Sequence, residues 1–253
     1  MSTKLKSQEN SRAFSLKVSQ RLQALADFVP SGTKRLLDVG CDHASVPLEL
    51  LAQASVNEVL LLDINAGPLE RARERSQTLF PEGSERINFL QTDGLEGVEC
   101  RPDDIVLISG MGGETIAQIL ENAYGESTCR PARMILQPQT KQYELRSSLQ
   151  KLSLNLSHEC LVWDSERFYT IIVCDNTNDE PPRYSQLELY VGPQLILAVQ
   201  ESLHRPEYSE EDELILDWAA RLKQRLELEG RGDARRARLA AEWTAFLERG
   251  YDD

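Results

Sequence analysis

The sequence predicts an α/β domain, doubly wound around a largely parallel sheet and closed by an antiparallel hairpin, with a helical hairpin behind it. Three observations predict this. Five short strand-like runs between residues 36 and 136 are mostly separated by helix-like segments, the alternation of a parallel sheet. Two further runs, 154–163 and 168–173, flank the turn Asp164-Ser165-Glu166-Arg167 and read as a hairpin. Beyond a polar stretch with Pro181-Pro182, Leu214, Trp218, Leu222 and Leu226 recur every fourth residue. After the breaker Gly230-Arg231-Gly232-Asp233 come Leu239, Trp243, Phe246 and Leu247, a second amphipathic helix. The expected division is 1–180 for the α/β domain with an N-terminal helix and 181–253 for the helical part.

A chain of 253 residues with 41% hydrophobic and 27% charged side chains has the composition of a globular protein with a full core. No apolar run approaches the roughly 20 residues that span a membrane. Met1 to Arg12 has no apolar signal core, so a cytoplasmic protein with no membrane partner is expected. Cys41, Cys100, Cys129, Cys160 and Cys174 form no C-x-x-C pair; buried free thiols are expected, with neither structural disulfides nor a metal site. The net charge of −13 argues against a polyanionic partner, but its distribution is uneven. Among residues 1–35, Lys4, Lys6, Arg12, Lys17, Arg21, Lys34 and Arg35 outnumber Glu9 and Asp27. A basic lip and a solvated tail both fit that segment.

The elements follow in order. Leu16, Leu22, Leu25 and Phe28 recur near helical spacing and stop at Pro30-Ser31-Gly32, placing a helix with Arg21 beside the first strand. That strand and its turn are Leu36-Leu37-Asp38-Val39-Gly40-Cys41-Asp42-His43. A glycine there lets backbone approach a ligand, and the next helix presents its N–H groups. Asp42 and Ala44 stand where a dinucleotide fingerprint has further glycines, so a pyrophosphate cradle is disfavoured. Such an acidic loop suits a cationic nucleoside, and Asp38, Gly40 and Asp42 point to S-adenosyl-L-methionine (SAM).

Val46 to Leu51 reads as a helix and Glu58 to Asp63 as a buried strand ending in a carboxylate. Asp63 lies 23 residues beyond Gly40, near the roughly 20-residue offset at which an acid meets a ribose diol. Ile64 is counted with it, and Pro68 fits a first helical position. Arg86 to Gln91 is the third strand; Asp93, followed by Gly94, is placed to accept from an adenine amino group. Asp104 to Ser109 is the fourth, ending in Gly110-Met111-Gly112-Gly113 before a helix from Glu114 to Ala123. Glycines at a helix start imply close approach, so Gly110 and Met111 are assigned to the cofactor and Gly112 and Gly113 to the substrate floor. Arg133 to Leu136 delivers Gln137-Pro138-Gln139 to the same edge, and a helix from Lys141 to Lys151 carries Tyr143. Five alternating strands followed by an antiparallel pair is the order of a SAM-dependent methyltransferase sheet rather than that of a hydride-transfer domain.

Val18-Ser19-Gln20-Arg21-Leu22, Asp38-Val39-Gly40-Cys41-Asp42-His43-Ala44, Gly110-Met111-Gly112-Gly113 and Leu136-Gln137-Pro138 together resemble the bacterial TrmK family, from about Val18 through Asp175. The resemblance implies a class I SAM-dependent methyltransferase domain (Rossmann-like, seven strands, the last antiparallel) followed by a coiled-coil-like helical domain. It implies methylation of N1 of adenine 22 in tRNA, with tRNA as partner. The family's Ser-Lys-Arg-Leu is Ser19-Gln20-Arg21-Leu22 here, and its Gln-Pro-Asn is Gln137-Pro138-Gln139.

Adenine N1 carries a lone pair at neutral pH, so its methylation needs alignment and desolvation more than a strong base. Methylation acidifies the exocyclic amine, which Asp42 or His43 could orient or deprotonate while Gln137 holds the base edge. These three are the catalytic candidates. Arg21, Gly112, Gly113, Pro138 and Tyr143 are assigned to the substrate, Tyr143 as a stacking platform for an unstacked base. The rivals are a small-molecule methyltransferase and a non-catalytic RNA- or partner-binding protein with a vestigial SAM pocket. No Asn- or Asp-Pro-Pro-aromatic motif follows the fourth strand and no Pro-Cys nucleophile occurs, which disfavours exocyclic-amine and cytosine-C5 chemistry. A monomer is the favoured oligomeric state.

Overall fold

A computed structural model describes residues 19–83, 85–125, 129–177 and 181–249. Strands β1 (Thr33–Val39), β2 (Val56–Asp63), β3 (Ile87–Gln91), β4 (Ile105–Gly112) and β5 (Arg133–Thr140) are parallel. The hairpin β6 (Asn155–Asp164) and β7 (Arg167–Asp175) completes a seven-stranded sheet in the order β3-β2-β1-β4-β5-β7-β6. β7 inserts antiparallel to both its neighbours. Helices α1 (Gln20–Asp27), α2 (Ser45–Ala52), α3 (Ala66–Leu79), α4 (Gly113–Gly125) and α5 (Gln142–Lys151) cover the faces.

Successive strand residues point to opposite faces, so a sheet covered on both sides needs apolar residues at consecutive positions. Leu37, Val106, Ile108 and Leu136 join the core under α4 and α5. Their neighbours Leu36, Leu107 and Ile135 join the core on the face of α2 and α3. The strand order turns around between β1 and β4, and ligands of such sheets bind where strands end at that switch point.

Several boundaries move. β4 and β5 continue through Gly112 and Thr140, so the fourth strand runs past the expected Ser109 and includes Gly110-Met111-Gly112. Ser109 pairs with Gln137 and Met111 with Pro138; Gly110 is therefore an extra residue on β4, a β-bulge of the kind that re-aims backbone beside a site. Pro68 is the third residue of α3, which begins at Ala66, rather than the first. α1 starts at Gln20, capped by the Ser19 hydroxyl accepting from Leu22 N.

The expected absence of disulfides is corrected by a Cys100–Cys129 bond, Cα atoms 4.6 Å apart. The loops entering β4 and β5 meet at the same edge of the sheet, which spacing in sequence does not reveal. The basic lip does not assemble from its described members. Lys34 pairs with Asp103, and Arg35, buried, with Asp104, at the start of β1 and so at the edge opposite the switch-point site. Lys4, Lys6, Arg12, Leu16, Lys17 and Val18 lie outside the described residues.

Four helices follow where two were expected: α6 (Gln186–Val191), α7 (Pro193–Leu203), α8 (Glu210–Glu229) and α9 (Ala234–Arg249). The signals for the extra pair are local. Ser185 and Glu188 form a capping box, and Pro193 opens α7 directly after Gly192, as capping chemistry allows. The four helices share a core of Val191, Leu195, Val199, Ile215, Ala219, Leu222, Leu226, Leu239 and Trp243. The buried stripe of α8 is centred on Ile215 and Ala219, with Leu214 and Trp218 half-buried, because α8 packs between α7 and α9 rather than against a single partner.

A buried ion pair joins these helices to the sheet. Arg146 Nε of α5 lies 2.6 Å from Glu159 Oε1 of β6, with both side chains almost fully buried. Arg146 also donates to the carbonyls of Leu189 and Tyr190, and Gln194 N donates to Glu159. Gly192 has φ +116°, and a Cβ there would sit 2.7 Å from both partners. No helix among the described residues is long and apolar enough to cross a membrane.

Candidate active site

Four segments meet at the carboxyl ends of β1, β2 and β4 around a cavity of about 460 Å³. Asp38 and Gly40 come from β1 and its turn, Asp42 and His43 from the following loop, Asp63 from β2, and Ser109, Gly110 and Met111 from β4. Arg21 and Leu22 of α1 close one side.

The β1 turn is wound tightly. Gly40, Asp42 and Ala44 have φ of +73°, +37° and +48°, and the amides of Gly40 and Cys41 both donate to the Leu62 carbonyl. Left-handed backbone at Asp42 and Ala44 is the kind of strain that surrounding structure holds at functional sites. The left-handed backbone favours glycine at Gly40, and a Cβ there would fall 2.1 Å from the terminal methyl of Met111, a side-chain end that would have to move. The bulged Gly110, φ +79°, has nothing within 4 Å of its would-be Cβ, so its glycine serves the backbone conformation.

Asp38 is 5% exposed, and its carboxyl makes no hydrogen bond among the described residues. Burial first, and the nearby Asp63 charge second, push its pKa up to about 7. Asp63 at the end of β2 accepts from Asn65 N at 2.8 Å. Two carboxylates in one cavity, one of them desolvated, form a site that an incoming cation relieves. The cavity therefore fits SAM: its acids suit a positively charged nucleoside, and Gly40 brings bare backbone to the wall while Met111 fills the space beside it.

Asp42 and His43 stand at the solvent side, each side chain 57% exposed, with His43 Nε2 3.7 Å from Asp42 Oδ2. Arg71 of α3 holds Asp42 through Nε and a terminal nitrogen at 2.9 and 2.6 Å. Sequence reasoning missed Arg71, which sits in an ordinary polar helix 29 residues from its partner. Gln137 is fully buried. Its Oε1 accepts from Arg21 at 2.8 Å and from the bulged Gly110 N at 3.2 Å, and its Nε2 donates to the Pro138 carbonyl. The Arg21 guanidinium also lies 5.2 Å from the Tyr169 ring. Arg21 is thus tied to the catalytic candidate rather than displayed on a basic surface.

Other predicted residues lie apart from this cavity. Asp93 lines a neighbouring one of about 520 Å³ with Glu96, Glu114 and Ile119. Gly94, φ +58°, abuts Ile119. The end of β3 stays tied to β2, since Thr92 N donates to Asp63 O and Gln91 Nε2 to Ile64 O. Ile64 is 55% exposed, an apolar surface just past Asp63. Gly113 abuts backbone, because a Cβ would lie 2.2 Å from the Lys141 carbonyl oxygen; Gly112 has ordinary contacts with Thr140 and Thr115. The absent side chain of Gly113 serves the packing of α4 against the β5–α5 turn. Pro138 is buried in β5 opposite Met111. Tyr143 is half-buried, with Tyr190 6.5 Å away and the Arg235 guanidinium 4.6 Å from its ring.

Residues 18–172 match the family described as a methyltransferase domain. A Bacillus subtilis protein named tRNA (adenine(22)-N(1))-methyltransferase is 30% identical over 177 residues, covering 70% of this chain and 72% of that one. A Streptococcus pneumoniae protein, described as a candidate tRNA (m1A22) methyltransferase and solved in complex with S-adenosyl-L-methionine, superposes with a TM-score of 0.74 at 26% identity. It covers 91% of this chain and 99% of its own. The B. subtilis TrmK crystal structure shares the fold, with a TM-score of 0.72 over 93% of this chain and 99% of that one at 24% identity. With the sheet order, the Asp-Val-Gly-Cys-Asp-His turn and the bulged Gly-Met-Gly-Gly all in place, the chain belongs to the TrmK family of methyltransferases.

Proposed function

We propose that this protein is a SAM-dependent tRNA methyltransferase that modifies N1 of an adenine, position 22 being the expected target. One observation carries the reading: Asp38 with the Asp42-His43 turn, Asp63 and Gly110-Met111, from three separate stretches of chain, line one cavity at the switch point. The tRNA methyltransferases among its relatives supply the substrate class.

When bound, SAM supplies an activated methyl group on a sulfonium. Asp38 and Asp63 would hold that cation and its ribose, with Gly40, Gly110 and Met111 as the backbone bed. Ile64, Asp93 and Gly94 are assigned to its adenine end. Gln137, its carboxamide oxygen fixed by Arg21 and Gly110, braces the edge against which the target base lies. Gly112, Gly113, Pro138 and Tyr143 complete that wall. Asp42 or His43, exposed at the mouth, orients the exocyclic amine and takes its proton once N1 is methylated. Arg71 keeps Asp42 in place through two hydrogen bonds.

The proposed boundary lies at 180/181, since α6 to α9 enclose a core of their own. A tRNA substrate implies a cytoplasmic protein; a monomer is our working assignment. The test is methyl transfer from labelled SAM to unmodified tRNA transcripts, with nucleoside analysis and primer-extension mapping. A 1-methyladenosine stop in the D-arm is expected. Intact SAM binding with no transfer to any tRNA overturns the substrate in favour of a small molecule.

A further inference from the structure

The helical part leaves an open cleft against the sheet, away from the cofactor cavity. It measures about 210 Å³ and lies between Gln142 of α5, Phe168 and Thr170 of β7, Tyr190 of α6, and Arg221 and Arg225 of α8. In a chain of net charge −13, this lining contains no carboxylate. Its third arginine, Arg146, is neutralised by the buried Glu159, whereas Arg221 and Arg225 have only exposed partners outside the lining.

Phe168, Tyr190 and Trp218 make the lining aromatic, and Trp163 backs Phe168 from outside it. Trp163 and Phe168 meet edge to face at 4.6 Å, and the Arg221 guanidinium lies 5.4 and 5.6 Å from their ring centres. Tyr190 carries Arg236 at 4.4 Å. Cationic groups beside flat apolar rings are what an unpaired nucleotide requires, phosphate for the cations and base for the rings.

Position ties the cleft to the reaction. β7 runs antiparallel to β5 with Ile172 opposite Leu136, so its first residues lie along the Gln137–Thr140 end, where the active site is. Phe168 and Thr170 share one face of β7, facing the cleft. Tyr169 between them faces the other way, against Arg21, which lines the cofactor cavity. The two sites stand back to back on one strand.

The existing partners of the cations do not compete strongly. Arg221 pairs with Asp217 at 2.9 Å and Arg225 with Glu229 at 3.9 Å, the arginine side chains being 58% and 60% exposed. Exposed pairs one turn apart are worth little, so a phosphate can replace either carboxylate.

We propose that this cleft is a second RNA site, holding an unstacked nucleotide of the substrate with Arg221 and Arg225 on its phosphates and Phe168, backed by Trp163, beside its base. The proposal rests on the tRNA reading above. It implies that RNA approaches across the junction of sheet and helical tail, with the acidic body facing away.

The test is anisotropy of a labelled, unmodified tRNA transcript titrated with the full chain at several salt concentrations, which does not depend on catalysis. The double variant Arg221→Ala/Arg225→Ala should bind at least tenfold more weakly. The slope of log affinity against log salt should fall by roughly 1.4, about 0.7 for each phosphate contact to a single strand. Phe168→Leu, which keeps an apolar side chain but removes the ring, should weaken binding about fivefold. SAM affinity should stay unchanged in all of these, and circular dichroism should match wild type. Arg101→Ala, which removes a charge paired with Glu58 beneath β4, should bind like wild type. Wild-type affinity and salt slope in the double variant overturn the proposal. An equal loss in Arg101→Ala reduces the effect to net charge and overturns it too, as does a wild-type protein that binds no tRNA. If the wild type binds tRNA, the double variant does not, and neither transfers a methyl group, the cleft stands and the catalytic reading falls.

Discussion

Replacing Asp38 by Asn separates the stability of this fold from its ability to hold a cation. Burial and the Asp63 charge raise the Asp38 pKa from 3.8 to about 7. The folded chain therefore holds this proton more tightly than the unfolded chain does. As pH rises from 3.8 through about 7, the folded state loses stability, and above that range the whole penalty is present. The rise from 3.8 to about 7, at about 1.36 kcal/mol for each tenfold in acidity, bounds the cost near 4 kcal/mol. Asn keeps the shape and removes the charge. Without ligand at pH 8.5, the variant should melt higher than wild type, with an upper bound on the order of 10 °C for a chain of this size. At pH 4 the two should melt alike. SAM binding should behave oppositely: the variant loses most of its affinity, whereas wild type weakens by up to tenfold for each pH unit below about 7, because the cation needs the ionised carboxylate. Differential scanning fluorimetry across pH with titration calorimetry reads both effects. Equal melting temperatures at pH 8.5, or a variant Kd for SAM within twofold of wild type, would refute the argument.

Four further outcomes follow from the same geometry. Asp63→Ala should raise the Kd for SAM while leaving the circular dichroism spectrum intact; unchanged affinity by calorimetry would remove Asp63 from the site. Gly113→Ala should prevent folding or cost several kcal/mol, because its Cβ would strike the Lys141 backbone oxygen at 2.2 Å. Gly40→Ala, whose Cβ meets the movable end of Met111, should cost only about 1–2 kcal/mol from the left-handed backbone but impair SAM binding by displacing Met111; denaturant melts beside calorimetry separate the two variants. Arg146→Ala strands the buried Glu159 and should destabilise by about 3–5 kcal/mol, measured by urea unfolding; a loss under 1 kcal/mol would show that the pair does not hold sheet and helices together.

Part of the fold and the site was legible because it is carried by local chemistry. Runs such as Val59-Leu60-Leu61-Leu62 and Ile105-Val106-Leu107-Ile108 can satisfy their apolar neighbours only in a sheet covered on both faces. The turn at Asp164–Arg167 could join only adjacent strands. Asp38, Gly40 and Asp63 gave themselves away by spacing, because a strand of fixed rise and a crossover helix put the first and second strand ends side by side. The four-residue period of α8 and α9 fixed their existence, though not their full partnership.

What the sequence by itself determined is the order of elements, the acidic switch-point turn and the family. What only the tertiary structure decided is every relation across long separations. Arg21 meets Gln137 116 residues away, Arg71 grips Asp42, Cys100 bonds Cys129, and Gly113 makes room for Lys141. The same holds for the tail, where local caps open α6 and α7 but their docking on the sheet rests on Arg146 and Glu159, which meet the end of α6 and the start of α7. Local patterns record the period of a strand or helix. Which side chain fills the space beside another depends on how whole elements pack, and that information is distributed over residues with no local mark.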